Sequence, residues 1–141
     1  MKILQRKCTN VPFLTLMQTS KAIHEKIKAE MAQYKLTITE FSVLEVLYLK
    51  GKQPIQQIGH CILISSGSMT YVIDKLEERG LLCRNACPED RRMIHITLTD
   101  QGTALMKEIM PKHQDLVHQM FEALPSEEAE TLVQLLKKIN V

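Results

Sequence analysis

Hydroxyl-bearing side chains cluster at residues 65–71, and two adjacent arginines follow at 91 and 92. The first cluster can donate and accept hydrogen bonds, and the second presents two guanidinium groups beside Asp90. Side chains that read base edges, and arginines that reach phosphates or a narrow minor groove, are the chemistry of DNA recognition. The candidate DNA contacts are Ser65, Ser66, Gly67, Ser68, Thr70, Tyr71, Lys75, Asp90, Arg91 and Arg92. The alternatives are an idle helix surface and a charged hairpin end that keeps a sheet edge soluble.

The elements that would position the first cluster are a short helix, a turn and a second helix. Pro54 predicts the start of the short helix, and Ser65 or Ser66 is the natural N-cap of the next one. Gly80 supplies the C-terminal stop of that second helix. Its predicted buried stripe consists of Met69, Val72, Ile73 and Leu76.

After Gly80 the apolar pattern changes from helical to alternating. Ile94, Ile96 and Leu98 alternate with polar residues, which predicts a half-buried strand, and residues 82–86 are its expected partner. The arginines then lie at the tip of a hairpin. A helix-turn-helix followed by such a hairpin indicates a winged DNA-binding module.

Long helices are predicted on both sides of this module. Asn10 and Pro12 indicate the start of the first, and Thr37 and Glu40 form a capping-box pattern for the next. Thr99 is predicted to cap a helix with a bend at Pro111, and a last helix follows the turn at residues 125–126. The terminal helices are more apolar than a monomer of this size needs, which favours a dimerisation unit.

The expected fold is mainly α with a small β-hairpin wing (α+β). It is a winged helix-turn-helix over residues 37–99, flanked by a dimerisation lobe of residues 1–35 and 100–141, all within one domain of 141 residues.

Composition excludes several classes of protein. The net charge of +2 gives no strong basic field, so DNA binding must depend on where the basic groups lie. The N-terminal segment is too short and polar for a signal peptide, and no apolar run would span a bilayer, so we expect a cytoplasmic protein with reduced thiols and no membrane partner. Catalytic motifs are missing, so neither an enzyme nor a cofactor is expected. His113 and His118 fall on different helix faces, so no metal site is predicted.

Over nearly its whole length the chain resembles the MarR family of bacterial transcription regulators. The resemblance rests on the helix opening at Leu36-Thr37, on SSGSMTYVIDKLEERGLL, and on the wing run from Asp90 through Leu98-Thr99 to Gly102. It implies that residues 65–75 read the major groove, and that Arg92 reaches the minor groove with Asp90 as its orienting partner. The segment LISSGSMTYVIDKLE looks most like members that respond to quinones and related electrophiles.

The resemblance also implies a ligand site where the winged and helical lobes meet. Apolar residues with a few polar groups suit a small molecule there, although a packed core has the same composition. The candidate pocket residues are Leu16, Met17, Ser20, His24, Phe41, Leu44, Glu45 and Tyr48. Cys8 is the candidate redox residue, but it precedes the position at which the family's peroxide sensors carry their reactive cysteine.

The predicted function is therefore a dimeric repressor that binds double-stranded DNA at a pseudo-palindromic operator. A small phenolic or quinone-like inducer, or modification of a thiol, would release it. Two alternatives stay open at this point: a helical interaction protein whose winged domain binds another protein, and a dedicated redox sensor.

Overall fold

The computed structural model describes residues 2–62 and 66–141, with side chains for residues 10–62 and 68–141. The chain forms two compact units, residues 1–103 and 104–141. Its elements are α1 (Lys2–Ala32), α2 (Ile38–Lys50), β1 (Gln53–Pro54), α3 (Ile55–Ile62), α4 (Ser66–Glu78), β2 (Leu82–Ala86), β3 (Ile94–Leu98), α5 (Asp100–Phe121) and α6 (Ser126–Lys137). The prediction of a mainly α chain with a small β-sheet is confirmed.

The first helix begins earlier than its capping signals suggest. We predicted a start at Asn10, but α1 begins at Lys2 and contains Pro12 within it. The preceding residues, KILQRK, are good helix formers, so they extend the helix although Pro12 removes one backbone donor. The prediction of an N-terminus at Asn10 is therefore wrong.

At its other end, α1 closes without a glycine. Leu36 N–H donates to the Met31 carbonyl over 3.1 Å, and Lys35 N–H donates to the Ala32 carbonyl over 3.1 Å. This is a Schellman closure, which places the intervening residue in the left-handed region. Here that residue is Lys35, with φ 56°, a conformation that costs a side chain with a Cβ about 1–2 kcal/mol.

The capping box that opens α2 is confirmed. Glu40 N–H donates to Thr37 Oγ1 over 3.0 Å, and Thr37 N–H donates to Glu40 Oε1 over 2.9 Å. The helix buries Phe41, Leu44 and Leu47, which follow one another at helical spacing. Gly51 ends it with φ 76°, and its N–H bonds to the Leu47 carbonyl.

The wing belongs to a three-stranded antiparallel sheet in the order β1-β3-β2. The hairpin register pairs Leu82 with Leu98 and Ala86 with Ile94. The short strand β1 was not predicted, and it pairs Pro54 with His95. Pro54 is therefore a strand residue on the sheet edge, where a missing N–H is tolerated, and α3 begins one residue later.

The second unit contains most of α5 and all of α6. Met106, Ile109 and Met110 are buried, whereas apolar residues of α6 are exposed. The turn predicted at residues 125–126 lies earlier, at residues 122–124, because Pro125 is the N-cap of α6 and Ser126 is already its first residue. Pro111 lies inside α5, so its helix continues through the proline; the bend stays a prediction. Within the described chain, no helix is both long and apolar enough to cross a bilayer.

Candidate nucleic-acid interface

Helix α4 has two contrasting faces. Met69, Ile73 and Leu76 are fully buried and Val72 nearly so, as predicted for the packing stripe. Exposed positions lie opposite and are occupied by Ser68, Thr70, Tyr71, Asp74 and Lys75. Ser65 lies outside the described residues, and Ser66 and Gly67 begin the helix. The buried stripe therefore fixes the rotation of α4, and that rotation presents the predicted hydrogen-bonding residues to solvent.

Tyr71 is the largest side chain on this exposed face. Its side chain is 64% exposed, and Lys75 Nζ lies 5.6 Å from the centre of its ring. Lys75 also pairs with Glu78 across 3.8 Å. An aromatic ring left this exposed has contact area available for a partner, and the neighbouring ammonium group adds positive charge beside it.

The C-terminal end of α4 is held by a compact set of backbone bonds. Leu81 N–H donates to the Leu76 carbonyl over 3.1 Å and Gly80 N–H to the Glu77 carbonyl over 2.9 Å, a Schellman closure with Gly80 at φ 73°. Thr99 joins this end to α5, because its N–H donates to the Leu81 carbonyl over 3.1 Å and its hydroxyl donates to the Gly80 carbonyl. The predicted stop at Gly80 is confirmed.

Thr99 also caps α5, as predicted, since Gly102 N–H donates to Thr99 Oγ1 over 3.1 Å. Gly102 itself packs directly against the Leu81 peptide, and a Cβ added there would lie 2.9 Å from the Leu81 carbonyl carbon. The threonine and the glycine of the wing pattern therefore act together to fasten the base of the hairpin to the end of α4.

The wing tip is organised by Asp90. Its Oδ1 accepts the backbone N–H of Arg92 over 2.9 Å, and Met93 N–H donates to the Asp90 carbonyl over 3.1 Å. Asp90 was predicted as the orienting partner of Arg92, and the bond that it makes is to the Arg92 backbone. The segment is a turn, because an aspartate readily bonds the N–H two residues ahead, and β3 begins only at Ile94.

Arg91 and Arg92 are both exposed at this tip. Arg92 also borders a surface cleft of about 240 Å³, whose other lining residues are Pro54, Ile55, Gln56, Met93 and Ile94. The turn thus leaves the guanidinium of Arg92 available to a partner while Asp90 holds its backbone.

Arg84 connects the wing to α4, a role that was not predicted from the sequence. Its Nη1 donates to Glu77 Oε1 over 2.7 Å, its backbone N–H donates to Glu77 Oε2 over 3.0 Å, and its Nη2 pairs with Asp74. Partial burial lowers the pKa of Arg84, but the hydrogen bonds and negative charges of Asp74 and Glu77 outweigh it and raise that pKa above its ordinary value. The sequence shows the three charges without their pairing, because the arginine lies on β2 and the two carboxylates lie on α4.

Arg79 makes a second link from the end of α4. Its Nη1 donates to the Lys35 carbonyl over 2.7 Å and its Nη2 to the Tyr34 carbonyl over 3.1 Å. These carbonyls belong to the strained closure of α1. The two arginines therefore attach α4 to β2 on one side and to the α1–α2 turn on the other.

The predicted ligand-pocket residues divide into two groups in the structure. Phe41 and Leu44 are buried, and Glu45 and Tyr48 are half-buried. Exposed residues of α1 make up the rest: Leu16, Met17, Ser20 and His24. None of the eight lines the cleft beside Arg92. Their role in binding a ligand stays a prediction.

The thiols do not form a cluster in the described structure. The Cys8 side chain lies outside the described side chains, and Cys61, Cys83 and Cys87 are free. Lys50 Nζ lies 3.3 Å from the exposed Cys61 Sγ. Among the residues with described side chains, 10–62 and 68–141, no group of three histidine, cysteine or acidic residues could hold a metal ion.

Comparison with known protein sequences finds the family that the sequence motifs resemble. Residues 36–94 match the sequence model of the MarR family. The HTH-type transcriptional regulator MhqR of Bacillus subtilis (strain 168) is 41% identical over 129 residues, which are 92% of this chain and 89% of that protein.

Comparison with solved structures finds proteins that share the architecture of this chain. A mutant MarR of E. coli complexed with operator DNA superposes with a TM-score of 0.79 at 23% identity, covering 91% of this chain and 93% of that one. BpsR of Bordetella bronchiseptica, whose DNA binding is regulated by 6-hydroxynicotinic acid, has a TM-score of 0.75 at 30% identity and covers 88% of this chain and 89% of its own.

Proposed function

Because this chain belongs to the MarR family of transcriptional regulators that bind DNA, we propose that it is a dimeric repressor released by a small ligand or by thiol modification. In this proposal residues 37–99 bind DNA, and residues 1–35 and 100–141 dimerise. The observation that carries the DNA-binding part is α4, whose buried stripe presents hydrogen-bonding residues outward beside a wing with two exposed arginines.

Residues 65–75 would read base edges in the major groove, and Arg92 would enter the adjacent minor groove. The test is fluorescence anisotropy with DNA from upstream of the protein's own gene, compared with random DNA of equal length. Affinity for both should fall steeply as salt is raised, because phosphate contacts release counterions. A folded protein that binds neither DNA would contradict the proposal and favour a winged domain that binds protein.

Dimerisation is supported by apolar residues left exposed on the terminal helices. On α1 these are Val11, Phe13, Leu14, Leu16 and Met17, and on α6 they are Val133, Leu135 and Leu136. Exposed apolar side chains in such numbers mark an interface with another chain. Two-fold symmetry would then require a pseudo-palindromic operator with half-sites about one helical turn, or roughly 34 Å, apart.

A matched pair of substitutions tests the interface. Leu136→Glu places a charge on the exposed face of α6 and should convert the dimer to monomer in sedimentation velocity. Leu49, 65% exposed on α2, is the control, because Leu49→Glu adds the same charge outside the terminal helices. If both variants remain dimeric, α6 is not part of the interface.

For the inducer, the relative BpsR supports a small hydroxylated aromatic compound. The probes are 6-hydroxynicotinic acid, which cannot alkylate a thiol, and 1,4-benzoquinone, which can accept a cysteine thiolate to form a hydroquinone thioether. Release by the acid would support a ligand pocket. Release by the quinone alone, abolished by Cys8→Ser, would support the thiol switch. Continued DNA binding with both probes would contradict an inducer of this class.

A further inference from the structure

Arg84 attaches the centre of the wing strand β2 to helix α4. Arg84 bonds Asp74 and Glu77, and its side chain is 24% exposed against 52% and 38% for its partners. We propose that Arg84 is a positioning residue that makes α4 and the wing bind DNA as one rigid unit, which rests on the DNA-binding roles proposed for both elements.

The geometry of the link requires an arginine. Asp74 and Glu77 are three residues apart on α4, so both carboxylates lie on one side of the helix. The planar guanidinium reaches both of them, while the backbone N–H of the same residue holds the second oxygen of Glu77. A lysine carries the same charge but is a flexible point charge, and it cannot reproduce this fork.

The hairpin needs a link at this position. Its base is fixed where Leu82 pairs with Leu98, and β1 contributes only two residues beside β3. A two-stranded hairpin is marginally stable alone. Arg84 lies midway along β2, opposite Ile96, so it secures the hairpin between its base and the tip that carries Arg92.

DNA binding would depend on this link in a specific way. Reading one half-site requires α4 in the major groove and Arg92 in the minor groove at the same time. A wing that moves freely must be ordered on binding, and that ordering costs free energy. Random DNA is bound through phosphates alone, so the affinity for it should depend less on the link.

Charge neutralisation is the competing explanation. Asp74 is exposed on the face with Tyr71 and Lys75, and an unpaired carboxylate there would repel phosphates. Replacement of Arg84, Asp74 and Glu77 by neutral residues of similar shape removes that repulsion together with the link. The two explanations therefore predict opposite results for Arg84→Met combined with Asp74→Asn and Glu77→Gln.

The experiment measures the ratio of operator affinity to random-DNA affinity by anisotropy. Four proteins are compared with the wild type: Arg84→Lys, Arg84→Met, the neutral triple variant, and Lys112→Met. Lys112 pairs with Glu108 across 4.0 Å on α5, so its loss controls for one positive charge and one surface ion pair.

We expect all three variants at position 84 to lower the ratio about tenfold, the equivalent of one lost charge-assisted hydrogen bond. Lys112→Met should change it by less than about twofold, as the loss of an exposed ion pair does. If Arg84→Lys keeps the wild-type ratio, or the neutral triple variant restores it, Arg84 acts through charge alone. Equal losses on operator and random DNA would make it a phosphate contact. Either result overturns the proposal.

Hydrogen exchange tests the link without DNA. In Arg84→Lys, the Cys87 and Met93 amides at the outer end of the hairpin should exchange faster than in the wild type, while amides of α2 should not change. Unchanged exchange at the hairpin would overturn the proposal. If the wild type shows no preference for operator DNA, the proposed function fails, and hydrogen exchange still decides whether Arg84 holds the wing.

Discussion

Substitution of Gly102 by alanine should destabilise the protein, although alanine is the better helix former. Gly102 lies in the first turn of α5, where its Cα packs on the Leu81 peptide. An added Cβ would overlap the Leu81 carbonyl oxygen and lie 2.9 Å from its carbonyl carbon. Real Cβ contacts closer than about 3 Å are essentially never seen, so the overlap with the oxygen requires the two backbone segments to separate by about 1 Å or more.

The expected loss of stability follows from three contributions. Overpacking of this kind costs about 1–3 kcal/mol. Separation of the segments also stretches the bond from Thr99 N–H to the Leu81 carbonyl, now 3.1 Å, beyond hydrogen-bonding range, at a further cost of about 0.5–1.5 kcal/mol. Helix propensity favours alanine by about 1 kcal/mol. Together these contributions lower the free energy of unfolding by roughly 0.5–3.5 kcal/mol, with a central value of about 2 kcal/mol.

Urea unfolding followed by circular dichroism, at one fixed protein concentration, measures this change. Gly51→Ala is the matched control, because Gly51 has φ 76° with nothing near its missing Cβ. That variant reports the cost of backbone strain without overlap, about 1–3 kcal/mol, because Gly51 combines φ 76° with ψ −156°, a region essentially restricted to glycine. If Gly102→Ala is as stable as the wild type, or more stable, the packing of α5 on the end of α4 is not as described.

Arg92→Ala should weaken operator binding by roughly 1–3 kcal/mol and leave thermal unfolding nearly unchanged. Arg91→Ala should matter less in the same anisotropy assay, and the reverse order would refute the assignment of Arg92 to the minor groove. Tyr71→Ala should cost roughly 1–3 kcal/mol on operator DNA and less on random DNA, whereas equal losses would show that Tyr71 does not read bases. Deletion of residues from Ser126 onward should abolish the folded dimer in light scattering after gel filtration; a folded monomer that still binds the operator would be inconsistent with the proposed interface.

Features encoded by neighbouring residues could be predicted from the sequence. The buried stripe of α4, the capping box at Thr37 and the stop at Gly80 each depend on residues within about one helical turn of one another. The exposed face of α4 followed from the same periodicity. These features define the winged module and its candidate DNA surface.

Features that depend on distant residues, or that contradict local preference, could not be predicted. Arg84 meets Glu77 only after β2 turns back along α4, so its charge carried no signal of its partner. Lys35 adopts a left-handed conformation that its residue type disfavours. The strand β1 has two residues, too few for a periodic pattern, and it exists because β3 provides an edge.

The fastening of the hairpin at its base bears on how this wing can be remodelled. The Thr99–Leu81 bond and the pairing of Leu82 with Leu98 set the register, whereas residues 87–93 lie beyond the last pair. Extra residues at the tip would lengthen the wing without moving any strand side chain to the opposite face. One residue inserted at Asn85 would instead put the outer part of the strand out of register and reverse its faces. Related chains could thus acquire wings of different reach, and engineered ones could receive new tips, while the same helix is kept.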